Sequence, residues 1–247
     1  MKHMSKHIGR VWTGLMALLV LLVGCAKADY MGDFESSPDY YASKGEDLAI
    51  GTLRSQDGVR FIRLDEKTSC QVMNPESVAD IQDGTRVFLE FRYVVLMSGA
   101  VASFCTDAIL VEWASPIDQG SMYLFNFEEA FGAESIRSAT YSDPMDIVTD
   151  WMTSLEDGFL TLHYMIPTSG EKKHKFALYQ SLYNYNDFYL VHQADGDTKG
   201  SVTDGIVCFD MAAILPKTEG KTVELSFVYI DLNHTEKRLT VDYCSPK

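Results

Sequence analysis

Thr85-Arg86-Val87-Phe88-Leu89-Glu90-Phe91-Arg92-Tyr93-Val94-Val95 is the stretch that decides the fold. Val87, Leu89, Phe91, Tyr93 and Val95 fall on one face and Arg86, Glu90 and Arg92 on the other, the period of a half-buried strand. Asp83-Gly84 turns the chain into this strand. Upstream, residues 48–54, residues 59–64 and a short run around Cys70 read as further strands, with Gln56-Asp57-Gly58 as a hairpin signal between the first two. Residues 75–81 suit one short helical stretch, and residues 103–113 a fifth strand. Five strands with a short helix between the third and fourth predict an OB-fold, a small Greek-key barrel, over residues 46–115.

Downstream, residues 116–142 mix aromatics with Glu128 and Glu129, hold no clear period and read as a connector. Strands resume at 145–152, 159–166, 173–180, 188–193, 205–211, 222–231 and 238–244. Asp157-Gly158, Ser169-Gly170, Asp195-Gly196-Asp197 and Glu219-Gly220 punctuate them. The last strand sets Leu239, Val241 and Tyr243 against Arg238, Thr240 and Asp242. Seven antiparallel-type strands with polar turns predict an Ig-like β-sandwich over residues 143–247, so the whole chain reads as all-β.

Toward the N-terminus the pattern changes. Lys2, Lys6 and Arg10 precede an apolar run from Val11 to Val23, and Leu22-Val23-Gly24-Cys25 ends it in a lipoprotein cleavage box. The run is roughly 13 residues, shorter than the ~20 that span a bilayer. Residues 1–24 therefore read as a signal peptide, Cys25 as the acylated first residue of the mature chain, and residues 25–45, small and acidic, as a flexible tether. This places the protein in the cell envelope as an outer-membrane lipoprotein, on the periplasmic or the surface face, with the membrane as a partner through its lipid.

The chain carries 35 acids against 21 Lys and Arg, a net charge of −14. Residues 46–115 alone hold 6 cations against 11 acids. Such a balance repels phosphate backbones and argues against nucleic acid despite the OB-fold. Export permits disulfides, and Cys70, Cys105, Cys208 and Cys244 allow three connectivities. The alternative is that each is a small buried hydrophobe on a strand. No Cys-x-x-Cys pair occurs, which excludes a zinc ribbon or thioredoxin-like site.

The leader, Gly51-Thr52-Leu53, Asp83-Gly84-Thr85-Arg86-Val87 and Asp157-Gly158-Phe159-Leu160-Thr161-Leu162 are followed by Lys173-His174-Lys175-Phe176 and His192-Gln193-Ala194-Asp195-Gly196-Asp197. In that order they resemble the NigD-like lipoproteins of Bacteroidetes. The resemblance implies an N-terminal OB domain joined to a C-terminal β-sandwich. The family takes its name from bacteriocin immunity, so an immunity-like role is what the resemblance suggests.

Chemistry-bearing residues are sparse. His174, His192, Asp195 and Asp197 are ligand types competent for zinc, but nothing in their spacing enforces a site, and strand histidines satisfied at a sandwich rim explain them equally. Asp195-Gly196-Asp197-Thr198-Lys199-Gly200 resembles a calcium loop but puts Lys199 and Ile206 where ligands belong. There is no Gly-x-Ser-x-Gly, His-Glu-x-x-His or phosphate-binding Gly-rich motif, so no catalytic residue and no cofactor is expected. Tyr183, Tyr185 and Tyr189 cluster around one loop and suit stacking on a sugar or anchoring a protein. The expected activity is non-enzymatic binding of an envelope or secreted protein. Glycan binding within a polysaccharide uptake system is the rival reading.

Overall fold

The computed structural model describes residues 34–36, 40–97, 99–123 and 142–245. The leader, Cys25 and residues 124–141 of the expected connector lie outside them. Residues 33–247 gather into one compact unit. No helix among the described residues is long and apolar enough to cross a membrane.

The first sheet contains β1 (Phe34–Ser36), β2 (Tyr40–Ser43), β3 (Asp47–Gln56), β4 (Val59–Arg63), β5 (Ser69–Val72), β6 (Arg86–Leu96) and β7 (Asp107–Pro116). Its order is β1-β2-β6-β3-β4-β5-β7, and a further β6–β7 pairing closes β3 to β7 into a five-stranded barrel. The β5–β7 pair is parallel and the others around the ring are antiparallel, the OB connectivity expected. Leu53, Ile62, Val72, Val87, Leu89, Phe91, Ile109 and Val111 fill the barrel. Val78, from a short 3-10 turn at Pro75–Val78, joins them. The helical stretch anticipated over 75–81 is thus only this turn. Inside the stretch read as tether, β1 and β2 extend the sheet, because β6 runs on past β3 and its free backbone groups pair with Tyr40 to Ala42.

The remaining strands form two facing sheets. One contains β10 (Asp146–Val148), β11 (Ser154–Glu156), β12 (Phe159–Thr168), β15 (Ser201–Asp210) and β8 (Asp118–Gln119). The other runs β17 (Glu236–Tyr243), β16 (Val223–Ile230), β14 (Asp187–Gln193), β13 (Lys175–Gln180) and β9 (Ser121–Tyr123). Between them lie Leu160, Leu162, Ile166, Phe176, Leu178, Phe188, Leu190, Val207, Phe209, Leu225 and Phe227. The long pairs β12–β15, β13–β14 and β16–β17 are antiparallel, while β13–β9, β14–β16 and β15–β8 are parallel.

The connector reading gives way at residues 118–123. Gly120 lets β8 and β9 split onto opposite sheets, since a Cβ there would sit 2.2 Å from the Phe209 ring. Similarly, the strand expected over 145–152 is divided, because Asp150 caps a turn through the Met152 amide at 3.0 Å before β11 begins.

The β12 sheet is covered on both faces, which explains why Phe159 to His163 are buried without interruption. Its outer face meets the barrel through Ile50, Ile117, Met152, Phe159 and Cys208, with Phe88 and Ile206 packed against them. Arg86, on the polar face of the decisive strand, is only 1% exposed because the sandwich lies over it. Its Nη1 donates to Thr52 Oγ1 (3.2 Å), its Nε to Thr161 Oγ1 (3.4 Å), and its Nη2 pairs with Glu156 Oε2 at 3.5 Å. Beside it, Asp157 at the β11–β12 turn takes Arg54 Nη2 at 3.0 Å and Arg63 Nε at 3.1 Å, both from the barrel. The turn itself needs the left-handed backbone of Asp157 and Gly158, with φ of 49° and 79°.

Candidate functional site

Of the expected metal-ligand types, three converge and one does not. Phe176 and His192 are cross-strand partners on β13 and β14, their rings stacked at 5.0 Å, and His174 just before β13 stacks on His192 at 5.0 Å. His174 Nδ1 and His192 Nε2 share a hydrogen bond of 2.8 Å. His192 Nδ1 faces the carbonyl oxygens of Asp143 and Pro144, both at 3.3 Å, so it carries a proton there. Burial, then the neighbouring His174 charge, pushes the His192 pKa down to about 4. His192 is therefore neutral near pH 7, its Nε2 accepts, and His174 Nδ1 donates.

The far nitrogen of His174, Nε2, is buried without a hydrogen bond and lies 3.5 Å from Asp197 Oδ2. Asp197 also accepts from Ser169 Oγ (2.6 Å), Ser169 N (2.8 Å) and Thr168 Oγ1 (2.9 Å). Those bonds, Ser169 first, hold its carboxyl well below the usual carboxylate range. Asp195 turns outward to Lys175 Nζ at 3.2 Å. Among the described residues no three His, Cys, Asp or Glu side chains are placed to hold a metal ion together. The hydrogen bonds of Asp197 to Thr168 and Ser169 pin the β12–β13 loop to the β14–β15 loop, with the bonded His174–His192 pair packed beside them. Ser169 is bonded to Asp197 rather than to an imidazole, so it is not arranged as an activated nucleophile. A shallow cleft of about 220 Å³ beside it is lined by Asp118, Tyr164, Lys173, His174 and Asp204.

The tyrosines divide differently. Tyr183 and Tyr185 are 79% and 69% exposed and Leu182 beside them 46%. Their hairpin is internally fixed: Ser181 N donates to Asp187 O (2.8 Å), Asp187 N to Asn184 O (2.9 Å) and Gln180 Nε2 to Tyr185 O (2.7 Å). Tyr189 instead stands half-buried on the strand, opposite Tyr179, which stacks on Tyr123 at 4.9 Å and 17°.

All four cysteines among the described residues are free thiols, with Cys70, Cys105 and Cys208 buried and Cys244 exposed. Burial pushes Cys70 up to about 12 and Cys208 up to about 11, which leaves both thiols protonated and unreactive. His163, on β12, bridges Asp150 Oδ2 at 2.8 Å and Asp204 Oδ2 at 3.4 Å. Sequence reasoning missed the aromatic contacts at the junction, where Phe88 meets Trp113 at 5.4 Å and Trp151 at 6.0 Å. Only the spacing of Trp151 after the connector could have signalled them.

Known structures share this architecture. A toxin-related protein from Parabacteroides distasonis superposes with a TM-score of 0.64 at 21% identity, covering 81% of this chain and 94% of its own. A protein of unknown function from Bacteroides vulgatus gives 0.59 at 17% identity, covering 82% and 92%. A NigD-like immunity protein from Bacteroides caccae gives 0.52 at 16% identity, covering 81% and 97%. At these identities the likeness is one of fold. Among curated proteins, none matches the chain in sequence. Residues 129–243 match the family model described as the NigD-like C-terminal beta sandwich domain. The chain thus carries a NigD-like C-terminal beta sandwich domain, in line with the NigD-like resemblance of its motifs.

Proposed function

We propose that this protein is a non-enzymatic binding module of the cell envelope, tethered to the outer membrane by an acylated Cys25 and acting in an immunity-like way on a protein partner. The observation that carries the reading is the Leu182-Tyr183-Asn184-Tyr185 hairpin: two exposed tyrosines on a loop fixed by its own hydrogen bonds. A preorganised aromatic loop loses little entropy on docking, which is what a binding surface needs. The solved relative named as an immunity protein supports the same direction by fold. Glycan binding draws on the same side chains, since an exposed tyrosine face also stacks on sugar rings.

The test uses the full chain in its native envelope. Palmitate label and membrane fractionation are expected for the natural chain and lost in Cys25→Ala. Crosslinking should recover a defined protein adduct that disappears in Tyr183→Ala/Tyr185→Ala while thermal stability is kept. An unlabelled chain overturns the anchor, and saturable sugar binding without a protein adduct overturns the protein-partner reading. Turnover of glycan, peptide or ester panels overturns the non-enzymatic one.

A further inference from the structure

Leu48, Glu90 and Trp113 form one cross-strand row on the outside of the barrel, from β3, β6 and β7, with Ile50, Phe88 and Ser115 as the next row. Trp151 reaches across from the sandwich to the same Phe88. Leu48, Trp113 and Trp151 are 51%, 39% and 52% exposed, so an apolar strip straddles the junction of barrel and sandwich. Its charge is one-sided. Glu90 accepts from Trp113 Nε1, Glu46 lies against Glu90, and Glu112 follows, while Arg92 is held by Glu112 at 2.6 Å. The Glu46 carboxyl is raised by its hydrogen bond and repulsion with Glu90, a crowding of negative charge that a cation relieves and a neutral sugar does not.

We infer that this Trp113–Phe88–Trp151 strip is a second docking surface, and that its occupant is a cationic polypeptide segment whose Arg or Lys side chains lie over the indole faces between the carboxylates. Aromatic faces attract such cations, and carboxylates set around them select basic over acidic partners. The strip uses none of the tyrosine-hairpin residues. The inference extends the binding-module reading and fails separately from it, because loss of the hairpin adduct and loss of binding here are measured on different side chains.

The chain holds three tryptophans, Trp12 in the leader, Trp113 and Trp151, so the emission of the mature chain from residue 25 reports on this strip alone. Titration with an oligoarginine peptide at low salt should give a saturable change in that emission. Trp151→Ala and Glu46→Gln/Glu90→Gln should each weaken binding about tenfold, the scale of one cation–π or charge contact. Asp242→Asn on β17 should leave it unchanged, and circular dichroism should show every variant folded. No emission change, equal affinity in the strip variants, or a stronger response to oligoglutamate or neutral oligosaccharides would overturn the inference.

Discussion

At Asp157 one side chain does two separable things. Its backbone takes the left-handed conformation of the turn, and its carboxylate, almost wholly covered, gathers Arg54 and Arg63 from the barrel. Asp157→Asn keeps the turn and removes the charge, so chemical denaturation should show a loss on the order of 1–3 kcal/mol. Asp157→Ala should cost roughly 1 kcal/mol more, through the strain of a left-handed alanine. His192 makes a pH prediction. Its folded pKa, about 4, lies below the 6.5 of the free side chain, so the folded state binds fewer protons in that window. Stability is then full above about pH 6.5 and falls by roughly 3 kcal/mol as the pH drops to about 4. Denaturation across that range should show the slope, and His192→Gln should flatten it. Asp197, whose carboxyl is also held low, adds a further loss in the same direction at still lower pH. The Asp-Gly turn was legible from sequence because only a few residues tolerate its backbone. The arginines that grip it were not, because Arg54 and Arg63 are about a hundred residues away from Asp157 along the chain.

Strands that alternate were read correctly where one face meets a core and the other meets water. Val87, Leu89 and Phe91 of β6 point into the barrel as their period requires. That logic fails where an element has two covered faces or is too short to show a period. Arg86 looked solvent-facing and is buried, and β12 is buried on both sides between the barrel and the second sheet. Edge strands β8 and β9, of two and three residues, left no periodic trace, and their parallel partners lie far along the chain. The histidine row was legible as ligand-competent residue types on two strands, but not as stacked rings joined by one imidazole–imidazole hydrogen bond. A chelator should leave the melting temperature unchanged, since Asp197 holds the loops without a metal; a fall would restore the metal-site reading. Gly120, between those edge strands, should not accept alanine, because the Phe209 ring occupies the space. A loss of about 1–3 kcal/mol is expected in thermal unfolding.

On the scale of the molecule, the barrel and the sandwich share an apolar junction, a buried Arg86 and a clamped turn. Residues 33–247 accordingly form one compact unit rather than two beads on a string. This rigidity is what gives the tyrosine hairpin and the tryptophan strip fixed positions on one body, and the proposed binding role depends on it. The same arrangement has a chemical signature: thiol reagents should titrate Cys244 in the native mature chain and reach Cys70 and Cys208 only after unfolding. Calorimetry of the mature chain tests the central claim most directly. A single transition, with matching calorimetric and van't Hoff enthalpies and tryptophan emission changing at the same temperature, is the predicted result. Two resolved transitions, with emission following only one, would contradict it.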